Sequence, residues 1–248
     1  MPNWMGLPPI FKPYARLSIR GLTRSAIFAR WPRVGHTKTR LTPGLTADLA
    51  HLLHVAMLRD ALDAALGAPA GRRTLWWAGA PAERVGFLVP EPIEVFDQPA
   101  GDLGDRLAHT FAALHRTPGD RVMIIGSDCP WLEAAAIDYA FEALERSEAV
   151  VGPADDGGFH LIGLTYAAVR LLPALFQGIP WSTERTLEET LIRIRAAGLS
   201  VDLLPAASDV DTPADVIKCV RWAMCDPAGG KHTRAALVAM GLLPGSAM

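Results

Sequence analysis

Apolar residues follow two alternating patterns along the chain. Short continuous runs predict β-strands, and longer stretches with three- and four-residue spacing predict amphipathic helices. The predicted strands are Ser25–Ala29, Thr74–Trp77, Ile93–Phe96, Arg121–Ile125, Ala149–Gly152, Phe159–Leu164 and Val201–Leu204. The predicted helices are Ala47–Leu66, Asp102–His115, Glu133–Arg146, Thr186–Ala197 and Pro213–Trp222.

This alternation of strands and helices indicates an α/β fold with a mostly parallel central sheet flanked by helices. The run Arg121–Ile125 is too apolar to have a face in water, which is typical of a strand covered on both sides. In open α/β sheets, ligands bind beyond the carboxyl ends of the strands. The residues that follow each predicted strand are therefore the first place to look for chemistry.

The alternation of strands and helices does not extend to the two ends of the chain. Residues 1–23 contain four prolines and no sustained periodicity, so we expect an N-terminal extension that is poorly ordered. Residues 24–222 hold the predicted elements and form one domain. Residues 223–248 form a C-terminal tail, in which His232–Leu243 could make one helix.

Composition narrows the class of protein. Half of the 248 residues are apolar, which excludes a disordered chain, and no apolar run approaches the about 20 residues of a membrane span. The three cysteines, Cys129, Cys219 and Cys225, lack zinc-site spacing and cannot all pair internally. We therefore expect a cytoplasmic protein without a membrane span.

The charge is unevenly distributed, although the net charge is only -2. Every charged residue before Asp48 is basic, and Arg30, Lys38 and Arg40 fall in the loop after the first strand. Arginine and lysine there could bind phosphate oxygens, and Gly35 would allow a nucleotide to approach the backbone. The alternative is a solvated basic turn. Nucleic-acid binding is not expected, because the rest of the chain, from Asp48 onward, is acidic.

Carboxylates follow two of the strands. Asp128 lies directly after the buried run Arg121–Ile125, where a charge needs a partner. Asp209 and Asp211 follow the last strand and share one side of an extended segment. Asp128 and one of these two could hold a divalent cation against a nucleotide phosphate. The alternative for Asp128 is a turn or helix-capping role.

Three further positions are candidates for substrate contacts. The sequence Asp155-Asp156-Gly157-Gly158 could be a hairpin turn, or its glycines could admit a ligand that Asp156 binds. Asp102 could cap a helix as well as face the site. Trp181 could stack on a base or sugar, or simply pack. No histidine forms a recognisable triad or metal pair, so none is assigned a catalytic role.

In order along the chain, these segments resemble the domain-of-unknown-function 2064 (DUF2064) transferases. The similar segments are FARWPRVGHTKTRL, QPAGDLGDRLAHTF, IIGSDCPWL, VGPADDGGFHLIGL, GIPWST and DVDTPADV. These proteins are glycosyltransferase-like and related to 2-phospholactate guanylyltransferase. This sequence differs from the family at Phe159-His160, where the family often has two larger aromatic residues.

The resemblance implies a single Rossmann-like domain of the nucleotide-diphospho-sugar transferase (GT-A) type. It places the nucleotide at Arg30, Lys38 and Arg40. It places Mg²⁺ or Mn²⁺ at Asp128, with Asp211 as the second ligand and Asp209 as the alternative. Lys38 and Asp128 are the catalytic candidates.

The reaction remains open among three alternatives. We predict a metal-dependent, glycosyltransferase-like enzyme that passes a group from a nucleotide-activated donor to a small acceptor. The alternative is a guanylyltransferase-like nucleotidyltransferase that uses a nucleoside triphosphate and a small phosphorylated acceptor. Three cations in the loop favour the triphosphate of this alternative. A further alternative is nucleotide binding without turnover.

Overall fold

A seven-stranded sheet forms the centre of the protein. The computed structural model describes residues 21–81, 89–226 and 228–244, so most of the predicted N-terminal extension lies outside the described residues. The strands are β1 Thr23–Arg30, β2 Arg72–Ala78, β3 Ile93–Asp97, β4 Arg121–Gly126, β5 Ala149–Pro153, β6 Phe159–Thr165 and β7 Val201–Leu203. All seven predicted strands are present.

The sheet is mostly parallel, as the sequence predicts. Its order is β3-β2-β1-β4-β6-β5-β7. Only β6 runs against its neighbours β4 and β5, whereas the other described pairs are parallel. The residues that begin β6 therefore lie at the same edge as the carboxyl ends of β1 and β4. This arrangement brings the segments after β1, β4 and β5 together at one edge.

Helices cover both faces of the sheet. They are α1 Ala47–Gly67, α2 Leu103–Leu114, α3 Ala134–Ala143, α4 Leu172–Phe176, α5 Thr186–Ala196, α6 Pro213–Cys225 and α7 Lys231–Ala239. Alternate residues of a strand enter opposite cores, because successive side chains point to opposite faces. Ile125 packs with α1 and α3, and Ile124 packs with α2, α4 and α5.

Two helix starts are fixed by reciprocal hydrogen bonds of the capping-box type. Asp102 caps α2 with Asp105, and Thr212 caps α6 with Asp215. The sequence Thr186-x-x-Glu189 predicts a third such start. Instead, Arg185 precedes α5 with no side-chain cap among the described residues, and the Thr186 hydroxyl donates to the Pro180 carbonyl at 3.1 Å.

The C-terminal segment packs against the domain. Helix α6 continues past Trp222 to Cys225, and α7 follows within the predicted tail. The Asp60 carboxylate on α1 accepts hydrogen bonds from the backbone N–H groups of His232 and Thr233, both at 2.8 Å. This carboxylate satisfies free donors at the start of α7. Among the described residues, no helix has the length and apolarity needed to cross a membrane.

Candidate active site

A cleft of about 1150 Å³ opens at the carboxyl edge of the parallel strands. Most of the residues singled out in the sequence line it. These are Arg30, Lys38, Arg40, Asp102, Asp128, Asp156, Gly158, Trp181, Asp209 and Asp211. The fold therefore collects chemistry-bearing residues from six separate segments at one place, where α/β sheets bind ligands.

The ammonium of Lys38 lies at the centre of this cleft wall. Its Nζ lies 2.6 Å from an Asp211 carboxylate oxygen and 3.1 Å from one of Asp128, and it donates to the Val210 carbonyl at 2.8 Å. The Lys38 side chain is only 5% exposed. Burial works against its charge, but the two carboxylates outweigh burial and raise its pKa. Lys38 is thus charged and fully engaged.

The backbone at Lys38 has an unusual conformation for this residue type. Its φ of 53° and ψ of 37° lie in the left-handed region, just before a short 3₁₀ turn at Thr39–Leu41. Non-glycine residues adopt this region at an energetic cost, which is typical of functional sites. The contacts of Nζ with two other loops offset that cost.

Asp128 is held where β4 ends. Its carbonyl accepts from the Val210 N–H at 3.0 Å, which joins the β4 end to the segment before α6. Its carboxylate accepts from the Ser127 hydroxyl at 3.3 Å. Burial alone would raise the pKa of Asp128, but the Lys38 ammonium overrides it and holds the pKa well below the usual range. Asp128 is therefore ionised at neutral pH.

The two acids of the last predicted motif have different surroundings. Asp211 contacts Lys38, as described above, and its side chain is 41% exposed. Burial and the nearby Asp128 carboxylate raise the pKa of Asp209 to about 7. The structure thus brings Asp211, the predicted second metal ligand, and Asp128 into contact with one cation. That cation is the protein's own ammonium.

The carboxylate pair suits a divalent metal ion in its chemistry. Mg²⁺ prefers oxygen ligands and is commonly held by one or two carboxylates together with substrate phosphates. Within the described ranges, no group of three or more His, Cys, Asp or Glu residues is arranged to hold a metal ion. Asp128 and Asp211 are therefore a pair of carboxylates that suits such a cation only together with ligands from outside the protein.

His54 is a site residue that the sequence reasoning missed. It lies on α1, and its Nε2 lies 3.2 Å from the Arg30 carbonyl while Nδ1 lies 3.8 Å from Asp128. The side chain is 3% exposed, and Nδ1 has no hydrogen-bond partner in the part of the chain that the structure describes. In the sequence, His54 is one more member of an amphipathic helix, and its position beneath the cleft follows only from the packing of α1 on the sheet.

The turn between β5 and β6 is a turn between antiparallel strands, and part of it also lines the cleft. It joins antiparallel strands, and Asp156 accepts from the Gly158 N–H at 2.9 Å within it. Asp156 and Gly158 also line the cleft. Gly157 instead has a φ of 84° and packs against the backbone of Glu184, where an added Cβ would approach to 2.2 Å. Gly157 therefore positions the loop before α5.

Asp102 and Trp181 likewise serve structure as well as the cleft wall. The Asp102 carboxylate accepts from the Asp105 N–H at 2.9 Å as the cap of α2. The Trp181 ring lies 6.3 Å from the Phe159 ring, and a Cβ on Gly104 would approach it to 2.9 Å. Both residues line the cleft, but part of each side chain is already engaged.

Gly35 lies in the loop that follows β1 and contains Lys38 and Arg40, here called the basic loop. It is less close to the cleft than this position suggests. It has a φ of 73° on the surface, and like Gly157 it is absent from the cleft lining within the described ranges. Its lack of a side chain permits the turn rather than a close approach. Several further polar residues do line the cleft, namely His36, Gln98, Arg106 and Arg185.

Comparisons with known proteins agree with this geometry. The family model of DUF2064, described as an uncharacterized protein conserved in bacteria, matches residues 61–183. A 2-phospho-L-lactate guanylyltransferase of Halorubrum lacusprofundi is 29% identical over 197 residues, covering 79% of this chain and 85% of the relative. A 3-phospho-D-glycerate guanylyltransferase of Phenylobacterium zucineum is 30% identical over 199 residues, covering 74% and 84%.

A solved structure shares the fold of most of this chain. The crystal structure of a candidate nucleotide-diphospho-sugar transferase from Desulfovibrio desulfuricans G20 superposes with a TM-score of 0.79 at 27% identity. The alignment covers 89% of this chain and 96% of that one. The fold and the relatives define a transferase of the GT-A-like nucleotide-binding class. The chain belongs to the family of these guanylyltransferases, and its residues 61–183 match the DUF2064 model.

Proposed function

We propose that this protein is a nucleotidyltransferase that moves a guanylyl group from GTP to a small phosphorylated acid. The support comes from the two relatives, which are both named guanylyltransferases of phosphorylated acids and align over most of their length. Of the two reactions predicted from the sequence, the relatives favour the one we held as the alternative over glycosyl transfer.

The arrangement of charge in the cleft is the observation that carries the proposal. Asp128 and Asp211 share one buried ammonium, and Arg30 and Arg40 line the same cleft. A nucleoside triphosphate brings more negative charge than a nucleotide sugar. Cations beside a carboxylate pair that can hold a metal match such a ligand.

Residue roles follow from these positions. Arg30, Lys38 and Arg40 would bind phosphate oxygens, and Asp128 with Asp211 would hold Mg²⁺ or Mn²⁺, with Asp209 as the alternative to Asp211. When bound, the divalent cation neutralises negative charge on the phosphates. We assign the acceptor to the part of the cleft lined by Asp156, Gly158 and Trp181, and Asp102 to a substrate contact at the start of α2.

The proposed reaction needs few protein groups that change protonation. An acceptor phosphate oxygen forms a bond to the α-phosphorus of the donor, the bond from that phosphorus to the bridging oxygen breaks, and pyrophosphate leaves. A phosphate monoester is largely ionised at neutral pH, so no base has to remove a proton from it. The contribution of the protein is then orientation of the reactants and stabilisation of negative charge, for which Lys38 is well placed.

Glycosyl transfer is the second candidate, because the Desulfovibrio structure is that of a candidate nucleotide-diphospho-sugar transferase.

The three cysteines are free thiols. Free thiols and a nucleotide donor fit a reducing compartment, and we propose that the protein is cytoplasmic.

A thermal-shift screen distinguishes the two reactions. Nucleoside triphosphates and nucleotide sugars are each added with and without Mg²⁺ or Mn²⁺, since a ligand that binds the folded state raises the melting temperature. The proposal expects stabilisation by GTP with metal and a weaker response to nucleotide sugars. Asp128→Asn should lose the metal-dependent part, whereas Glu94→Gln, on the exposed edge strand β3, should keep it. A response to nucleotide sugars alone would favour glycosyl transfer.

A further inference from the structure

The carboxylates that suit a divalent cation already contact a cation of the chain. Lys38 Nζ contacts one oxygen of Asp128 and one of Asp211, at 3.1 and 2.6 Å. The third contact, with the Val210 carbonyl at 2.8 Å, completes the three donors of an ammonium. The Lys38 side chain is 5% exposed, so water contributes little to its stabilisation.

A divalent cation on the same two carboxylates would lie very close to this ammonium. Mg²⁺ binds carboxylate oxygens at about 2.0–2.1 Å, which is shorter than either Lys38 contact. Like charges a few ångströms apart repel strongly in a partly buried site. Two carboxylates balance one divalent cation, and the ammonium beside them would then be an uncompensated buried charge.

We propose that Lys38 and a divalent cation are alternative occupants of the Asp128–Asp211 pair, so that Lys38 leaves the pair when the metal binds. The proposal rests on the proposed metal-dependent function, and it adds a role for Lys38 before any nucleotide is present. Free protein keeps its carboxylates compensated by its own side chain. Metal binding then frees that side chain.

The position of Lys38 gives its release a consequence. Lys38 belongs to the basic loop, and it joins this loop to Val210 and Asp211, which precede α6. Its neighbours Thr39 and Arg40 line the cleft. Once released, Lys38 is the cation of this loop that can turn toward phosphate oxygens. Metal binding and phosphate binding are thereby coupled through one side chain, and linkage requires each to favour the other.

Direct metal titration tests the competition without nucleotide. Mn²⁺ binding is measured by electron paramagnetic resonance on the wild type, Lys38→Met and Arg40→Met. Lys38→Met should bind Mn²⁺ at least tenfold more tightly than the wild type, because the competing charge is gone. Arg40→Met also removes one positive charge from the cleft wall but touches neither carboxylate in the described structure, and it should change the affinity less than threefold. Equal or weaker binding by Lys38→Met overturns the proposal, as does the absence of binding to every variant.

Amine labelling tests the release in the unmodified protein. The chain has four lysines, and Lys218 and Lys231 are exposed references. Acetylation by an N-hydroxysuccinimide ester, followed by peptide mass mapping, should label Lys38 slowly in metal-free protein. Addition of Mn²⁺ should raise its rate at least fivefold relative to the references. An unchanged or lower rate overturns the proposal.

These measurements separate the two hypotheses. Neither measurement uses nucleotide or turnover. If the protein transfers guanylyl groups but Lys38 and the metal do not compete for the carboxylates, only the proposed role of Lys38 is refuted. Competition without a nucleotidyl product would refute only the proposed reaction.

Discussion

His54 Nδ1 lies 3.8 Å from a carboxylate oxygen of Asp128, while Nε2 of the same ring lies 3.2 Å from the Arg30 carbonyl. One buried imidazole thus contacts both the last residue of β1 and the acid that follows β4. These are the two strand ends from which the cations of the loop after β1 and the carboxylate of Asp128 reach the cleft. We expect His54 to hold these two strand ends in position.

Replacement of His54 tests this positioning role. His54→Phe keeps a planar aromatic ring but removes the hydrogen bond to Arg30, which should cost about 1 kcal/mol of stability and lower kcat about tenfold. His54→Gln retains a donor and should recover much of the loss. Urea unfolding and steady-state kinetics measure the two effects. Equal activity of the phenylalanine variant and the wild type would show that the ring only fills space.

Gly157 and Gly158 form a matched pair in the turn after β5. An added Cβ at Gly157 would meet the Glu184 backbone at 2.2 Å, whereas at Gly158 its closest neighbour is the Asp156 side chain at 3.1 Å. Gly157→Ala should therefore displace the loop before α5 and lower the melting temperature by several degrees. Gly158→Ala should have a much smaller effect. Similar melting curves for the two variants would contradict this distinction.

The buried ion pair Arg24–Asp120 makes stability depend on pH. Asp120 is fully buried, lies 2.5 Å from an Arg24 nitrogen and accepts backbone N–H bonds from Leu22, Arg116 and Thr117. Burial raises the pKa of Asp120, but these hydrogen bonds and Arg24 lower it to about 2. Since the pKa in the folded protein lies below the value of 3.8 in an unfolded chain, the stabilisation is present above pH 3.8 and is lost as the pH falls toward 2.

Asp120→Asn isolates this contribution. The variant should lose about 3–5 kcal/mol at pH 7, because Arg24 is left buried without its counter-charge. About 2 kcal/mol of the difference from the wild type should vanish between pH 4 and pH 2. Urea unfolding at several pH values gives both numbers. A difference that stays constant over this range would mean that Asp120 has an ordinary pKa in the folded protein.

Docking of the C-terminal helix depends on Asp60. Removal of its carboxylate in Asp60→Ala leaves the first N–H groups of α7 without acceptors, which should cost about 1–2 kcal/mol and speed hydrogen exchange in α7. Asp63→Ala is the comparison, because the Asp63 side chain is 55% exposed and reaches α7 through the His232 ring, at 3.0 Å, rather than through the backbone N–H groups. Exchange of α7 that does not respond to Asp60→Ala would place its anchoring elsewhere.

The sequence predicts the fold well where a local pattern has a single physical cause. The apolar run at β4 requires a covered strand, and Asp102 and Thr212 carry reciprocal caps that need only neighbouring residues. The rule that parallel strands end at one edge places Asp128 and Asp211 at the same edge of the sheet. Each of these features can be inferred without knowledge of distant contacts.

Other features of the site depend on contacts between remote segments. The identity of the cation between Asp128 and Asp211 is set by the left-handed turn at Lys38, which no local pattern announces. His54 looks like any polar residue of an amphipathic helix, and the contact of Gly157 with Glu184 joins two loops. These features are set by tertiary packing, which a single sequence does not display.

The most direct test of the account follows the α-phosphorus of the donor. GTP labelled with ³²P at the α-position is incubated with Mg²⁺ and either 2-phospholactate or 3-phosphoglycerate, and products are separated by chromatography. The account predicts label in a new guanylylated acid, equimolar release of unlabelled pyrophosphate, and at least a hundredfold loss in Asp128→Asn. A parallel experiment uses a GDP-sugar labelled at the α-phosphorus as the donor. Labelled GDP together with transfer of the sugar to an acceptor, and no transfer from GTP, would contradict the account.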